Sequence, residues 1–144
     1  LSKAFGLAGL RVGYLIGNPK LISYIERIRS PYNINSFSQA AAVEALKNRD
    51  KAMIKINLIK EQRNKLTARL TELENLECIE SWSNFILVRS QRTKDIYMAL
   101  EKEGIHVKAF SSPIMKNCLR ITVGTPEQNE SLYKVLKEVL KEND

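Results

Sequence analysis

Apolar positions change their spacing near residue 75, and the elements they predict change with it. Residues 12–17 form a short continuous apolar run suited to a strand buried on both faces. Asn18-Pro19 then has the signature of a helix start, a capping side chain followed by proline at the first helical position. Leu21, Ile22, Ile25 and Ile28 recur at helical spacing, with Lys20, Glu26, Arg27 and Arg29 on most of the other face. Pro31 is expected to end that helix, because it pushes the preceding residue toward extended geometry. Ser36 followed by Gln39 predicts a capping box opening an alanine-rich helix with Phe37, Ala40, Ala41, Val43, Ala45 and Leu46. Asp50 is then expected to cap a long helix reaching about Leu73. Its apolar stripe is Met53, Ile54, Leu58, Ile59, Leu66, Leu70 and Leu73, and Glu61, Arg63, Lys65 and Arg69 are expected on its solvated face.

Beyond Glu74-Asn75 the runs become short. Strands are predicted over 76–80 and 85–89, joined by Ser81-Trp82-Ser83-Asn84. A helix over 93–103 turns Ile96, Tyr97 and Leu100 inward and stops at Gly104. Two further strands follow, over 105–109 and 119–123. Thr125-Pro126-Glu127-Gln128 combines a cap, a first-turn proline and a capping-box glutamine. The helix it opens has Leu132, Val135, Leu136, Val139 and Leu140 at i, i+3, i+4, i+7 and i+8. The order strand, strand, helix, strand, strand, helix predicts an α+β layer, helices on one face of a small, mostly antiparallel sheet. A boundary near residues 30–50 divides the chain into an opening piece, 1–45, and a C-terminal domain, 46–144.

Composition narrows the function classes. The 144 residues are enough for a real core, and 44% hydrophobic with 27% charged residues is ordinary for a globular domain. No apolar run approaches the roughly 20 residues of a membrane helix, and there is no signal-peptide pattern, so no membrane partner and a cytoplasmic location are expected. The net charge of +7 suits nucleic acid or small anions. The basic residues are scattered among acids with no aromatic-interleaved patch, which argues against nucleic acid. Cys78, Cys118 and the single His106 have no metal-ligand spacing, so no metal is expected; the cysteines are expected as small core residues and His106 as a solvent-facing strand residue. The chain begins at Leu1, inside a motif and without a methionine, which suggests a piece of a longer protein.

The chemistry concentrates in that opening motif, Leu1-Ser2-Lys3-Ala4-Phe5-Gly6-Leu7-Ala8-Gly9-Leu10-Arg11. A lysine amine can form a Schiff base with an aldehyde cofactor, provided it is unprotonated part of the time. Small neighbours at Ser2, Ala4 and Gly6 leave room for a flat ring. Arg11 offers a planar guanidinium for paired hydrogen bonds to phosphate, and Ser2 can add a hydroxyl. Arg120 is a lone charge within an apolar strand and, if buried, needs an anionic partner.

The string S-K-A-F-G-L-A-G-L-R-V-G-Y resembles the lysine segment of the fold-type I, class I/II aminotransferases that use pyridoxal 5'-phosphate (PLP). Within them it is most similar to the histidinol-phosphate aminotransferases. Pro31-Tyr32-Asn33-Ile34-Asn35, Ser83-Asn84-Phe85-Ile86-Leu87-Val88-Arg89, Gly104-Ile105 and Cys118-Leu119-Arg120-Ile121-Thr122-Val123-Gly124-Thr125 extend the likeness, with Glu127 and Asn129, over nearly the whole chain. The resemblance implies the C-terminal small domain of such an enzyme plus the end of its large domain. It implies that Lys3 holds PLP covalently, that Ser2 and Arg11 grip its phosphate, and that Arg120 binds the substrate α-carboxylate. Lys108 stands where the family usually has an arginine that helps hold a substrate phosphate; it keeps the charge but not the bidentate fork. Asn84 and Tyr32 are further candidates for lining the site, each balanced by a plain turn or packing role. The implied substrates are an amino acid and a 2-oxo acid, and the implied assembly is a homodimer. A threonine-phosphate decarboxylase-like or general amino-acid aminotransferase activity stays open, as does a non-catalytic interaction module for the chain alone. The acidic partner of the pyridine nitrogen, the ring stacked on the cofactor and most of the central sheet precede Lys3 in the family, so the isolated chain is expected to be inactive.

Overall fold

A computed structural model describes residues 1–141. The chain packs as two compact units, Leu1–Ile56 and the remainder from Asn57.

The first unit begins with a turn closed by Phe5 N–H donating to the Leu1 carbonyl, then a 3-10 turn Ala8–Leu10. Helix α1, Pro19–Ile28, starts as its sequence dictates: Asn18 Oδ1 accepts from Lys20 N–H at 2.9 Å and Pro19 occupies the first turn. It stops three residues before Pro31, with Arg29 already extended. Helix α2, Ser36–Lys47, departs from the expected capping box. Asn35 is the cap, its side chain accepting from Ser38 N–H at 2.8 Å, and Ser36 is the first helical residue. Gln39 donates instead to the Ile34 carbonyl at 3.0 Å. Helix α3, Arg49–Thr71, follows with only Asn48 between, so Asp50 lies in its first turn rather than at the cap. There its charge still complements the helix dipole.

Residues 12–17 form no strand; Tyr14, Leu15 and Ile16 are exposed. A strand exists only where another offers a ladder, and all four strands among the described residues lie in the second unit and pair with one another.

The second unit is an α+β layer. Strands β1 (Glu77–Ile79), β2 (Phe85–Arg89), β3 (Lys108–Ala109) and β4 (Cys118–Thr122) form one antiparallel sheet in the order β1-β2-β4-β3. Alternation sets its faces. Ile86, Val88, Leu119 and Ile121 point into a core completed by Leu66 and Leu70 of α3, Ile96 and Leu100 of helix α4 (Thr93–Lys102), and Leu132, Leu136 and Leu140 of helix α5 (Pro126–Lys141). Each such side chain contributes about 1.5–3 kcal/mol by leaving water.

The expected strand 105–109 is cut to two residues because the end of α4 consumes its start. Gly104, at φ +69°, donates to the Glu101 carbonyl, and Ile105 N–H donates to the Leu100 carbonyl at 2.8 Å. This closure of the helix end uses the amide that a longer strand would need. The capping box at α5 forms as expected: Gln128 N–H donates to Thr125 Oγ1 at 3.3 Å and Thr125 N–H to Gln128 Oε1 at 2.9 Å. It demands glycine before it, since a Cβ on Gly124 would stand 2.6 Å from Gln128 Oε1.

Helix α3 corrects two expectations. Met53, Ile54, Leu58 and Ile59 of its apolar stripe are exposed, while Leu66 and Leu70 are buried. Arg63, expected in solvent, is buried at 8% exposure. Residues 62 and 63 lie one turn before Leu66 and therefore on its face. Arg69 is not free in solvent either: it pairs with Glu130 and lies 3.8 Å over the Tyr133 ring.

Candidate active site

The candidate residues fall into two groups, one in each unit. In the first unit, Ser2, Lys3 and Arg11 share one tightly turned segment. Gly6 N–H donates to the Lys3 carbonyl at 3.3 Å, and Gly6 itself is left-handed, at φ +68°, which glycine adopts at no steric cost. Arg11 ends the 3-10 turn, also left-handed, at φ 54°, its Nη1 donating to the Ala8 carbonyl at 3.2 Å. Ser2 is half-buried; Lys3 and Arg11 are exposed. Among the described residues no carboxylate lies within ion-pairing distance of either cation. Tyr32, in the turn between α1 and α2, is 92% exposed.

In the second unit the antiparallel register puts Lys108 directly opposite Arg120, with Leu87 opposite Arg120 on its other side. Cross-strand partners share a face, and this one lies opposite the core face carrying Leu119 and Ile121. Arg120 is exposed, so burial does not force an acidic partner on it. Its guanidinium sits 5.4 Å from the centre of the Phe85 ring, within cation–π range. Neither Lys108 nor Arg120 is ion-paired among the described residues, whereas Arg89 on the same face is bound to Glu77 at 3.1 Å. Asn84 is exposed at the entrance to β2, where its carbonyl accepts from Val123 N–H at 3.0 Å. His106 is exposed, 2.9 Å from Glu101.

Two nearby features were missed by sequence reasoning. Buried Asn129 donates to the Gly124 carbonyl at 3.2 Å and accepts from Gly124 N–H at 2.9 Å, and it also meets buried Gln62 at 3.4 Å. Arg63 donates to the carbonyl of Ser83. The signal was present in the spacing 62, 66, 70, which places polar residues on the stripe of the core leucines.

The donor set fits a phosphorylated aldehyde cofactor. One short segment holds an amine, a hydroxyl and a guanidinium, with both cations free of acidic partners among the described residues. A Cβ built on Gly9 or Gly13 meets nothing within 4 Å, so the backbone beside them is unobstructed. The two free cations opposite each other in the sheet suit a small anionic substrate.

The aminotransferase class I and II family model matches residues 1–136, and the chain belongs to that family. A histidinol-phosphate aminotransferase of Ruminiclostridium cellulolyticum is 45% identical over 136 residues, which cover 94% of this chain and 38% of that protein. One from Thermoanaerobacter sp. is 43% identical over 141 residues, covering 97% and 40%. The solved histidinol-phosphate aminotransferase of Sinorhizobium meliloti in complex with pyridoxal-5'-phosphate superposes with a TM-score of 0.76 at 25% identity, covering 97% of this chain and 40% of that one. The chain therefore spans about two fifths of the length of these relatives.

Proposed function

We propose that this chain is the C-terminal part of a PLP-dependent histidinol-phosphate aminotransferase of histidine biosynthesis. In this reading, residues 1–45 end the large cofactor-binding domain and residues 46–144 form the small domain. The observation that carries it is the pairing of two uncompensated cationic sites with the family match: Lys3 and Arg11 in one segment, Lys108 and Arg120 opposite each other in the sheet.

PLP, when bound, supplies the electron sink for cleaving a bond at the amino-acid Cα. Lys3 Nζ would hold the cofactor and would serve as the general base that takes the substrate Cα proton. Ser2 Oγ and the Arg11 guanidinium would bind the cofactor phosphate. The Arg120 fork holds the substrate α-carboxylate and so orients the Cα–H bond. Lys108, opposite it, attracts the phosphate of the phosphorylated substrate, which carries no carboxylate, as a point charge. Asn84 and Tyr32 line the site. The substrates are an amino acid and a 2-oxo acid.

The complete enzyme adds the acidic partner of the pyridine nitrogen and the stacked aromatic ring. It is a cytoplasmic homodimer that binds neither nucleic acid nor membrane. The exposed apolar side chains of the first unit, among them Tyr14, Ile16, Ile28 and Phe37, are cover for the rest of the subunit and its partner. The free thiols of Cys78 and Cys118 fit a reducing compartment. The 144-residue chain alone does not transaminate.

The test is the Lys3→Ala variant of the complete enzyme, assayed for amino transfer from histidinol phosphate to a 2-oxo acid. The variant is expected to lose turnover by at least about 10³-fold and to lose the visible absorbance of lysine-bound cofactor. Wild-type turnover in that variant would refute the reading. Carbon dioxide release from a phosphorylated amino acid, without amination of a 2-oxo acid, would replace it with a decarboxylase.

A further inference from the structure

Helix α3 carries two adjacent polar side chains into the interior of the second unit, and one of them is a cation. Arg63 and Gln62 are each 8% exposed. Among the described residues no carboxylate lies within ion-pairing distance of Arg63. Its Nε and Nη2 donate to Asn64 Oδ1 at 3.4 and 3.2 Å, and Nη1 donates to the Ser83 carbonyl at 3.2 Å. A buried guanidinium without an anion is costly, and an apolar side chain would fill the space without that desolvation. Stability alone does not account for an arginine here.

What the guanidinium reaches is the turn that ends in Asn84. Inside that turn Ser81 Oγ donates to the Phe85 carbonyl and accepts from Ser83 N–H at 3.2 Å. From outside, two bonds hold it: Arg63 on the Ser83 carbonyl and Val123 N–H on the Asn84 carbonyl at 3.0 Å. Val123 follows directly on β4, three residues after Arg120, and Gly124 beyond it is clamped by Asn129, which meets Gln62. Neighbouring residues of one helix thus hold both loops at this end of the β2–β4 pair.

We propose that Arg63 is a positioning residue: it fixes the Ser83 carbonyl and so sets where Asn84 is presented at the mouth of β2. The catalytic consequence rests on the proposed reading in which Asn84 lines the substrate site. A rigid turn keeps a site group within the fraction of an ångström that productive binding needs, and a buried fork with donors on two sides is stiffer than a single hydroxyl or amide.

The experiment compares Arg63→Gln, Arg63→Lys, Asn84→Ala and the Arg63→Gln/Asn84→Ala double variant in the complete enzyme. Arg63→Gln is expected to lower kcat/KM for the amino donor by about tenfold to a hundredfold. Arg63→Lys, which keeps a charged donor for Ser83, recovers most of that loss. In the Asn84→Ala background Arg63→Gln adds less than about twofold, because the group it positions is gone. Equal losses in both backgrounds would overturn the proposal. Independently of activity, amide hydrogen exchange at Val123 and residues 83–85 should rise by about tenfold or more in Arg63→Gln while that at Leu136 stays slow. Unchanged exchange at Val123, or an equal rise throughout the core, would overturn it too. Loosening confined to this turn in a protein that performs no amino transfer would refute the enzyme reading and leave Arg63's hold on the turn standing.

Discussion

Single residues in this chain do more than their type suggests, and arginine shows it best. Arg63 is buried without an acid, Arg69 lies on a tyrosine ring and pairs with Glu130, and Arg120 lies exposed beside a phenylalanine. The Arg69 pair makes stability depend on pH. The hydrogen bond from Arg69, with its charge and those of Lys134 and Lys137, holds the Glu130 carboxyl below its ordinary value of 4.5. A lowered folded-state pKa adds stability that is complete above the ordinary value and is lost as pH falls through the folded value. Glu130→Gln should therefore lower the urea midpoint at pH 7, and the difference from wild type should vanish as both are titrated below pH 4.5. Both side chains are partly exposed, which keeps the effect modest. A midpoint difference that persists or grows in acid would contradict this account. None of these environments is visible from composition: the letter is the same for an arginine in a core, on a ring or in water.

Elements were legible where their signals are local. The caps of α1 and α5, the glycine stop of α4 and the strand at 85–89 depend on side chains within a few residues, and they form as the sequence predicts, with β4 one residue earlier than expected. The strand expected at 12–17 needs a partner that residue spacing cannot supply, and Ile105 gives its amide to the helix end before it. At α2 two capping signals overlap, and Asn35 is the cap, its side-chain Oδ1 accepting from Ser38 N–H. The candidate site was legible in the same uneven way. The resemblance pointed to Ser2, Lys3, Arg11 and Arg120, but that Lys108 faces Arg120 follows only from the sheet register. Like charges directly opposite each other destabilise a sheet. Lys108→Gln should raise the unfolding free energy by up to about 1 kcal/mol at low salt, and the gain should shrink as salt approaches about 1 M. Urea unfolding at two ionic strengths measures this; a loss of stability at low salt would show that the pair is not repulsive.

At the scale of the whole chain, burial is unevenly shared. The second unit closes a core in which Ile86, Ile96, Leu100 and Leu136 are inaccessible, while in the first Ile16 and Ile28 are mostly exposed. Leu136→Ala should cost about 2–5 kcal/mol, whereas Ile16→Ser should stay within about 0.5 kcal/mol, both read from denaturant melts of the 144-residue chain. A large cost at Ile16 would mean that its side chain is covered in solution. Between these regimes runs α3, one unbroken helix across the Ile56/Asn57 division. A helix offers no slack: one inserted residue turns everything after it by about 100°. A residue inserted between Arg63 and Leu66 would put Gln62 and Arg63 on a different face from Leu66 and Leu70, with which they now share the interior. Descendants of this sequence are thus held, across 62–70, to change letter by letter and not in length.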